Sequence, residues 1–342
     1  MSDIAVVIPV YNGANMLEDC LRSVQNAGTR ISEIIIVDDG SKDDTLSVAM
    51  SLAQRDNRIN VIHTDNHGTY MARTTGMKAA VSSYVTSIDV DDRYYKGSLD
   101  ILAELLEKHE ADVAMGGLIE LQDYSSPVPL ISEPNIRVST PDQFWPRIMK
   151  WKTQEFICYI NKLYKRELVQ SLISAEGICQ GEDVLITCQT FLNVKKMVET
   201  NSPVYLYYQN PDSLTRVGFG DHDLDVLRVW DEVVEIIKKK KPEILYMARF
   251  NRWRTDFTMI SRLTLVDDRN LDRKYSDNLK QWRRSLKEHW KDLVFPHAMP
   301  ISREILVIGF RFFYTPTRLL MRLGRRFTKK ETSVILHSGD KR

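Results

Sequence analysis

The sequence predicts an α/β protein: a mainly parallel sheet flanked by helices, followed by a helical C-terminal region. Three observations predict it. Short apolar runs alternate with helix-spaced segments through the first third of the chain. The runs are apolar throughout rather than at every second residue, as in strands covered on both faces. From about residue 221 only helical spacing remains.

The strand-like runs are IAVVIPV at 4–10, EIIIVD at 33–38, NVIH at 60–63, YVTSI at 84–88 and DVAMGGLIEL at 112–121. Between the first two, Met16, Leu17, Cys20, Leu21 and Val24 share one helical face. Between the next two, Leu46, Ala49, Met50 and Ala53 do the same behind an acidic start at Asp43 and Asp44. Alternation of this kind implies parallel strands joined by helical crossovers. In such sheets ligands sit beyond the carboxyl ends of the strands, and two acidic turns fall there, VDDGS at 37–41 and DVDD at 89–92. Residues 122–142, rich in Ser and Pro, read as a connection. In the C-terminal region, LDVLRVWDEVVEIIKKKKP reads as a helix stopped near Pro242, its lysine run a solvated helix end.

At 342 residues, 43% hydrophobic and 27% charged, the chain has room for about two soluble domains. Residues 300–342 hold ten Lys or Arg against Glu304, Glu331 and Asp340, leaving 37 basic against 43 acidic residues elsewhere. The basic charge belongs to the tail, so no nucleic-acid partner is expected. Cys20, Cys158, Cys179 and Cys188 form no CxxC pair, which argues against a zinc site or a disulfide framework. The N-terminus enters a strand without a basic leader, and a cytoplasmic location is expected.

A carboxylate-rich crevice repels a bare phosphate. It suits hydroxyl or base groups, or a phosphate accompanied by Mn²⁺ or Mg²⁺, which bind through one or two carboxylates plus substrate phosphates. Asp89 and Asp91 have the spacing to share such an ion. The plainer reading is that surface turns are rich in Asp.

Taken together and in order, VVIPVYNGANMLEDCLRSV, IIIVDDGSKDDT, GTYMARTTGMKAA, SIDVDD, NKLYKRELV and GED resemble the family 2 glycosyltransferases, whose nucleotide-sugar domain has the Rossmann-like GT-A fold. The resemblance covers roughly the first 215 residues. It implies a catalytic domain over 1–220, with a nucleotide-sugar half to about 121 and an acceptor half over about 140–220, before a helical region at 221–342.

The family's roles fall on this chain as follows. Pro9 and Tyr11 line the nucleotide pocket, and Asp39 accepts a hydrogen bond from the base. Arg73, in MAR, counters acidic or phosphate charge; the family's usual Asn after it is Thr74 here. Asp91 is the leading ligand to Mn²⁺ or Mg²⁺, with Asp89 on the ribose or the ion and Asp92 the third acid. Asp183 is the base and Glu182 its orienting neighbour, and a single base implies inversion. On residues alone, Glu182 and Asp183 would read as charges complementing a helix N-terminus. Asp38 reads as a turn former before Gly40, and His67 as structural or solvated. Ser213 and Arg216 are placed near the diphosphate, and Lys162 or Lys165 toward phosphates or acceptor unless they form a solvated face. Arg93 stands where the family often has an aromatic residue, which leaves the acceptor side open. The expected activity is transfer from a nucleoside diphosphate sugar, commonly a UDP-sugar, to a glycan or lipid-linked glycan in surface polysaccharide synthesis. Two rivals stand beside it: a non-catalytic nucleotide-sugar-binding subunit, and a DxD phosphatase of the haloacid dehalogenase kind, which expects Thr where Arg93 lies.

In the tail, about 302–330, helical spacing lines up Ile305, Ile308, Phe312, Leu319, Leu323 and Phe327 opposite Arg311, Arg318, Arg322 and Arg325, with Pro316 kinking the helix or starting another. Arginines within the stretch argue against a spanning segment. Two readings remain: a basic amphipathic helix on an anionic membrane surface, peripheral on its cytoplasmic face, or a stripe packed within the protein.

Overall fold

The computed structural model describes residues 3–123, 126–128, 134–149, 158–173, 177–178, 180–208, 218–266 and 268–327. The chain divides into two compact units: Met1–Trp145 with Glu155–Pro211, and Pro146–Gln154 with Asp212–Arg342.

The first unit is a nine-stranded sheet with helices. It opens with β1 (Ile4–Val10), α1 (Ala14–Ala27), β2 (Ile31–Asp39), α2 (Thr45–Arg55), β3 (Ile59–Thr64), α3 (Thr69–Ala79) and β4 (Tyr84–Ser87). It continues with β5 (Arg93–Tyr94), α4 (Ser98–His109), β6 (Val113–Leu121), β7 (Ile136–Ser139), β8 (Lys162–Lys165) and β9 (Met197–Tyr208). The order is β3-β2-β1-β4-β8-β6-β9-β5, with β7 also paired to β9. Strands β1 to β4 are mutually parallel, β6 and β9 run with them, and β8, β5 and β7 run against. The fold is therefore the expected α/β class with a mainly parallel sheet, and the antiparallel members are what apolar runs alone did not indicate.

The reason β1 reads as an unbroken apolar run is visible in its burial: all seven residues are shut from solvent, with β2 and β4 on either side. Helix α3 lies close on this layer because residue 76 is Gly; a Cβ there would stand 3.0 Å from Val37 Cγ2. Register carries the acidic ends to one edge, with Pro9 beside Val37 and Val10 beside Asp38. The turn after β2 needs a positive φ at Gly40, +71°, which a glycine adopts without strain. The Ser- and Pro-rich stretch read as a connection holds strand β7, whose four residues lie between Pro134 and Pro141 and hydrogen-bond to β9.

The second unit is helical, with helices His222–Lys240, Leu245–Val266, Arg269–Lys274, Ser276–Val294, Ile301–Phe312 and Tyr314–Phe327. Its core gathers Trp282, Phe257, Ile260, Leu293, Val307 and Phe310. The first helix stops at Lys240, before Pro242, as the lysine run suggested. Pro316 lies in the first turn of a new helix rather than in a kink. Among the described residues no helix is long and apolar enough to cross a membrane.

The tail departs from the expected division of faces. Ile305, Ile308, Phe312, Leu319 and Leu323 are exposed, together with Phe313 and Leu320. Of the arginines expected on the opposite side, Arg311, Arg318 and Arg322 are engaged within the protein, and the side chains of Arg325 and Phe327 lie outside the described residues. Arg318 and Arg322 both pair with Asp272, Arg322 at 3.1 Å, and the Arg311 guanidinium stacks 4.8 Å from the Phe312 ring. Spacing showed that the arginines share a side, but an acid 46 residues away from Arg318 could not be matched to it from sequence.

Candidate active site

At the carboxyl edge of the sheet three segments converge, all within the first unit. The turn after β4 carries Asp89, Asp91 and Asp92. The helix Glu182–Phe191 begins with Glu182 and Asp183, its N-cap Gly181 in the left-handed region at φ +84°. Helix α3 brings Arg73, which is 1% exposed.

Arg73 joins the two acidic motifs. Its Nη2 donates to Asp89 Oδ1 at 2.5 Å, and its Nη1 stands 3.5 Å from Glu182 Oε1 and 3.6 Å from Asp183 Oδ1. The Tyr159 ring lies beneath, 5.4 Å from the guanidinium carbon. Burial works against the Arg73 charge, and Asp89, Asp183 and Glu182 outweigh it, keeping the guanidinium protonated. Arg73 Nε and Nη1 and Asp183 Oδ1 have no hydrogen-bond partner among the described residues. Buried polar atoms left in this state are rare in a folded core and common where a ligand completes them.

The acid pair is tuned upward. Burial first, then the neighbouring Asp183, raises Glu182 to about 7 against the pull of Arg73. Burial also raises Asp183, opposed by Arg73 and Lys162 and reinforced by Asp89. A carboxyl near neutrality can hold or release a proton at working pH.

The aspartate turn is fastened from below by β9. The Asp89 backbone N–H donates to Tyr205 Oη at 3.1 Å, Tyr205 Oη donates to Asp92 Oδ2 at 2.7 Å, and the Tyr208 backbone N–H donates to Asp92 Oδ1 at 2.9 Å. Burial, followed by the charges of Asp89 and Asp91, pushes Asp92 up to about 8. Asp92 is thus a fastening for the turn, while Asp89 and Asp91 are half-exposed on it. Arg93 folds back on the same turn, donating to the carbonyls of Val90 and Asp92.

Among the described residues no three His, Cys, Asp or Glu side chains gather closely enough to hold a metal by themselves. The protein brings two carboxylates on one turn, which is the usual complement for Mg²⁺ or Mn²⁺ when phosphates supply the rest. Oxygen donors of this hardness fit those ions and not a thiolate-seeking metal.

Other candidates are distributed around this centre. Pro9 is buried at the end of β1, and Tyr11, just beyond it, is exposed. Asp39 is buried, its oxygens accepting from the backbone N–H groups of His67 at 2.9 Å and Gly68 at 2.8 Å, so it also fastens the loop before α3. Asp38 accepts from the Ser41 backbone and pairs with His63 at 2.7 Å, the turn-forming part expected of it. His67 is exposed. Lys165 does not reach this edge, because it pairs with Asp112 at 2.8 Å at the opposite end of the sheet. Lys162 is neither a solvated lysine nor a surface ligand but fully buried. Ser213 and Arg216 lie outside the described residues. Tyr159 and Tyr205 were not singled out from sequence, since tyrosines in strand-like or buried stretches are ordinary core residues and only their hydroxyl or ring contacts set these two apart.

A Rossmann-like sheet with acidic turns and an acidic helix start along its carboxyl edge defines the GT-A class of α/β fold. The same fold appears in S. aureus TarS in complex with UDP-GlcNAc, at a TM-score of 0.62 and 18% identity over 95% of this chain and 92% of that one. Residues 5–173 match the family described as Glycosyl transferase family 2. Residues 5–173 therefore form a glycosyl transferase family 2 domain. An uncharacterized glycosyltransferase EpsJ of Bacillus subtilis is 31% identical over 220 residues, 63% of this chain and 64% of EpsJ, so the match spans somewhat less than two thirds of that relative. Glycosyltransferase GlyG of Streptococcus pneumoniae is 26% identical over 306 residues, 85% of this chain and 94% of GlyG.

Proposed function

We propose that this protein transfers a sugar from a nucleoside diphosphate sugar, most naturally a UDP-sugar, to an acceptor hydroxyl, with a divalent ion and with inversion at the anomeric carbon. The observation that carries this reading is the junction at Arg73, where one buried guanidinium faces Asp89 on one side and Glu182 with Asp183 on the other. Donor and acceptor chemistry need such neighbouring acidic groups with opposite tasks.

In this reading Pro9, Tyr11 and Asp39 face the nucleotide. Asp89 and Asp91 hold Mn²⁺ or Mg²⁺, which when bound offsets the negative charge gathering on the departing diphosphate. Asp183 accepts the proton of the attacking hydroxyl as its oxygen bonds to the anomeric carbon and the bond to the diphosphate breaks. Glu182, held near neutrality, hydrogen-bonds the acceptor and steadies Asp183. Attack from the side opposite the leaving group inverts the centre. TarS structures with UDP-GlcNAc and with UDP support a uridine nucleotide. A Campylobacter jejuni relative, named GalNAc(5)-diNAcBac-PP-undecaprenol beta-1,3-glucosyltransferase and 34% identical over 122 residues, supports a lipid-linked glycan acceptor.

Such an acceptor lies in a membrane. The outward Ile305, Ile308, Phe312, Phe313, Leu319 and Leu320 support a tail resting on the cytoplasmic face. Because Arg318 and Arg322 are tied to Asp272, apolar contact carries most of that attachment, and anionic headgroups add less than a free arginine row would.

The deciding experiment incubates the protein and Mn²⁺ with a panel of nucleotide sugars and measures released nucleoside diphosphate. Release from one donor, lost on chelation, is expected. No release from any donor, with UDP still bound, would instead favour a non-catalytic nucleotide-sugar-binding subunit.

A further inference from the structure

We propose that Lys162 is a positioning residue for Asp183: its buried ammonium closes the turn 158–162, and the closed turn sets the Asp183 carboxylate. This rests on the reading of Asp183 as the base.

Lys162 is 0% exposed. Its ammonium donates back to the Cys158 carbonyl, four residues earlier, and to Asn161 Oδ1 at 2.8 Å. The turn so closed is anchored on both sides of β8. The Lys162 carbonyl accepts from Thr86 Oγ1 of β4 at 2.7 Å, and Asn161 Nδ2 donates to the Gly116 carbonyl of β6 at 2.7 Å. Inside the turn stands Tyr159. Its backbone N–H faces the Asp183 carboxylate, its ring lies under Arg73, and its hydroxyl is held on Met77 Sδ at 2.7 Å. One turn therefore touches both the base and the base's counter-ion.

Burying an ammonium is unfavourable unless its donors are met and an opposite charge is near. Here carbonyl and amide oxygens meet the donors, and the charge of Asp183 is attracted across the turn. Asp183 is faced by Glu182 on its own helix, by Arg73 of α3, by Asp89 after β4, and by Lys162 and Tyr159 of this turn. Arg73 itself bonds to the aspartate turn, and Lys162→Met leaves both partners of that Arg73–Asp89 bond in place.

The test uses the full chain, with water as the acceptor and the most reactive nucleotide sugar of the panel as donor. In Lys162→Met, kcat for nucleoside diphosphate release is expected to fall by about tenfold or more, and the acidic limb of its pH profile to move to higher pH. Calorimetric affinity for UDP with Mn²⁺ stays within about twofold, as expected when donor binding and the chemical step are separate. Lys162→Arg is expected to return the limb toward its original position. An unmoved limb, or parallel losses of kcat and UDP affinity, overturns the proposal. If Lys162→Met does not fold, Asn161→Ala releases both ties of the amide, to Lys162 and to Gly116, while keeping the lysine charge; kcat is then expected to fall with UDP affinity kept, and unchanged kcat overturns the proposal. Asp183→Asn is run in parallel. Wild-type release by that variant removes the base reading and this inference with it, whereas a crippled Asp183→Asn beside an unaffected Lys162→Met removes this inference alone.

Discussion

Tyr205 Oη donates to Asp92 Oδ2 at 2.7 Å while accepting from the Asp89 backbone N–H at 3.1 Å, so one hydroxyl holds the aspartate turn at both ends. Tyr205→Phe leaves a buried acceptor and a partly buried donor unmet, a loss of about 1–3 kcal/mol that urea denaturation would register. The loosened turn is expected to bind UDP with Mn²⁺ more weakly. Unchanged stability and unchanged affinity together would remove Tyr205 from the site's support.

Asp91→Asn keeps the side chain's shape but removes an anionic oxygen ligand. Calorimetry with UDP is expected to show Mn²⁺-enhanced affinity for the wild type and little enhancement for the variant. Identical enhancement in both would defeat the assignment of the ion to this turn.

Asp183→Asn separates binding from chemistry, because an amide cannot take the hydroxyl proton. Turnover is expected to fall by about 10²–10⁴, with donor affinity nearly unchanged. A variant that turned over at the wild-type rate would require another base.

Glu182 titrates at about 7 because burial and Asp183 disfavour its charge, against an ordinary value of 4.5. Between those two values the folded protein binds more protons than the unfolded chain at this position, so the group's contribution to stability declines as pH rises through that window and is flat above it. Glu182→Gln removes this slope. Asp183 is already charged when Glu182 titrates, since that charge is part of what raises Glu182, so the acidic limb set by Asp183 is expected to stay in place. A limb that moved to lower pH would show that Glu182 carries its charge while Asp183 titrates.

The tail makes a separate prediction. Phe313 and Leu320 are 65% and 68% exposed, and converting both to Asp is expected to abolish co-sedimentation with vesicles containing anionic lipid. Because two arginines are tied to Asp272, added salt is expected to weaken the wild type's sedimentation only modestly. Wild-type protein that stays in solution at low ionic strength would leave the apolar face to another partner.

What was legible in the sequence was whatever depends on neighbours along the chain. Strand β1 was read at its observed bounds because all seven residues are apolar, and β2 to β4 within two residues at either end. Strands β5, β7 and β8 were not legible as strands. At two to four residues they carry too few side chains to show a period, and they exist because longer strands offer them an edge. Asp89 and Asp91 were legible from their spacing in a turn behind a strand, and the roles of Glu182 and Asp183 came from the resemblance, whereas the common contact of Asp89, Glu182 and Asp183 with Arg73 depends on segments that meet only after folding. Lys162 and Tyr205 show the same limit, since a lysine reads as solvent-facing and a tyrosine as core until their polar atoms have named partners.

The position of β8 orders the assembly of the sheet in time. Strands β3, β2, β1 and β4 come from the first 87 residues and pair directly, leaving one long side of β4 without a neighbour. That vacancy is filled only by residues 162–165, which then accept β6 on their other side. During synthesis the nascent chain carries an open β4 border until about 80 further residues have appeared, and such a border is where a chain pairs with the wrong strand. A fragment ending after β6 would keep that border permanently. Donor-side motifs alone therefore do not make a portable nucleotide-binding module in this protein, and attempts to excise one are expected to yield aggregates unless the excision extends through β9.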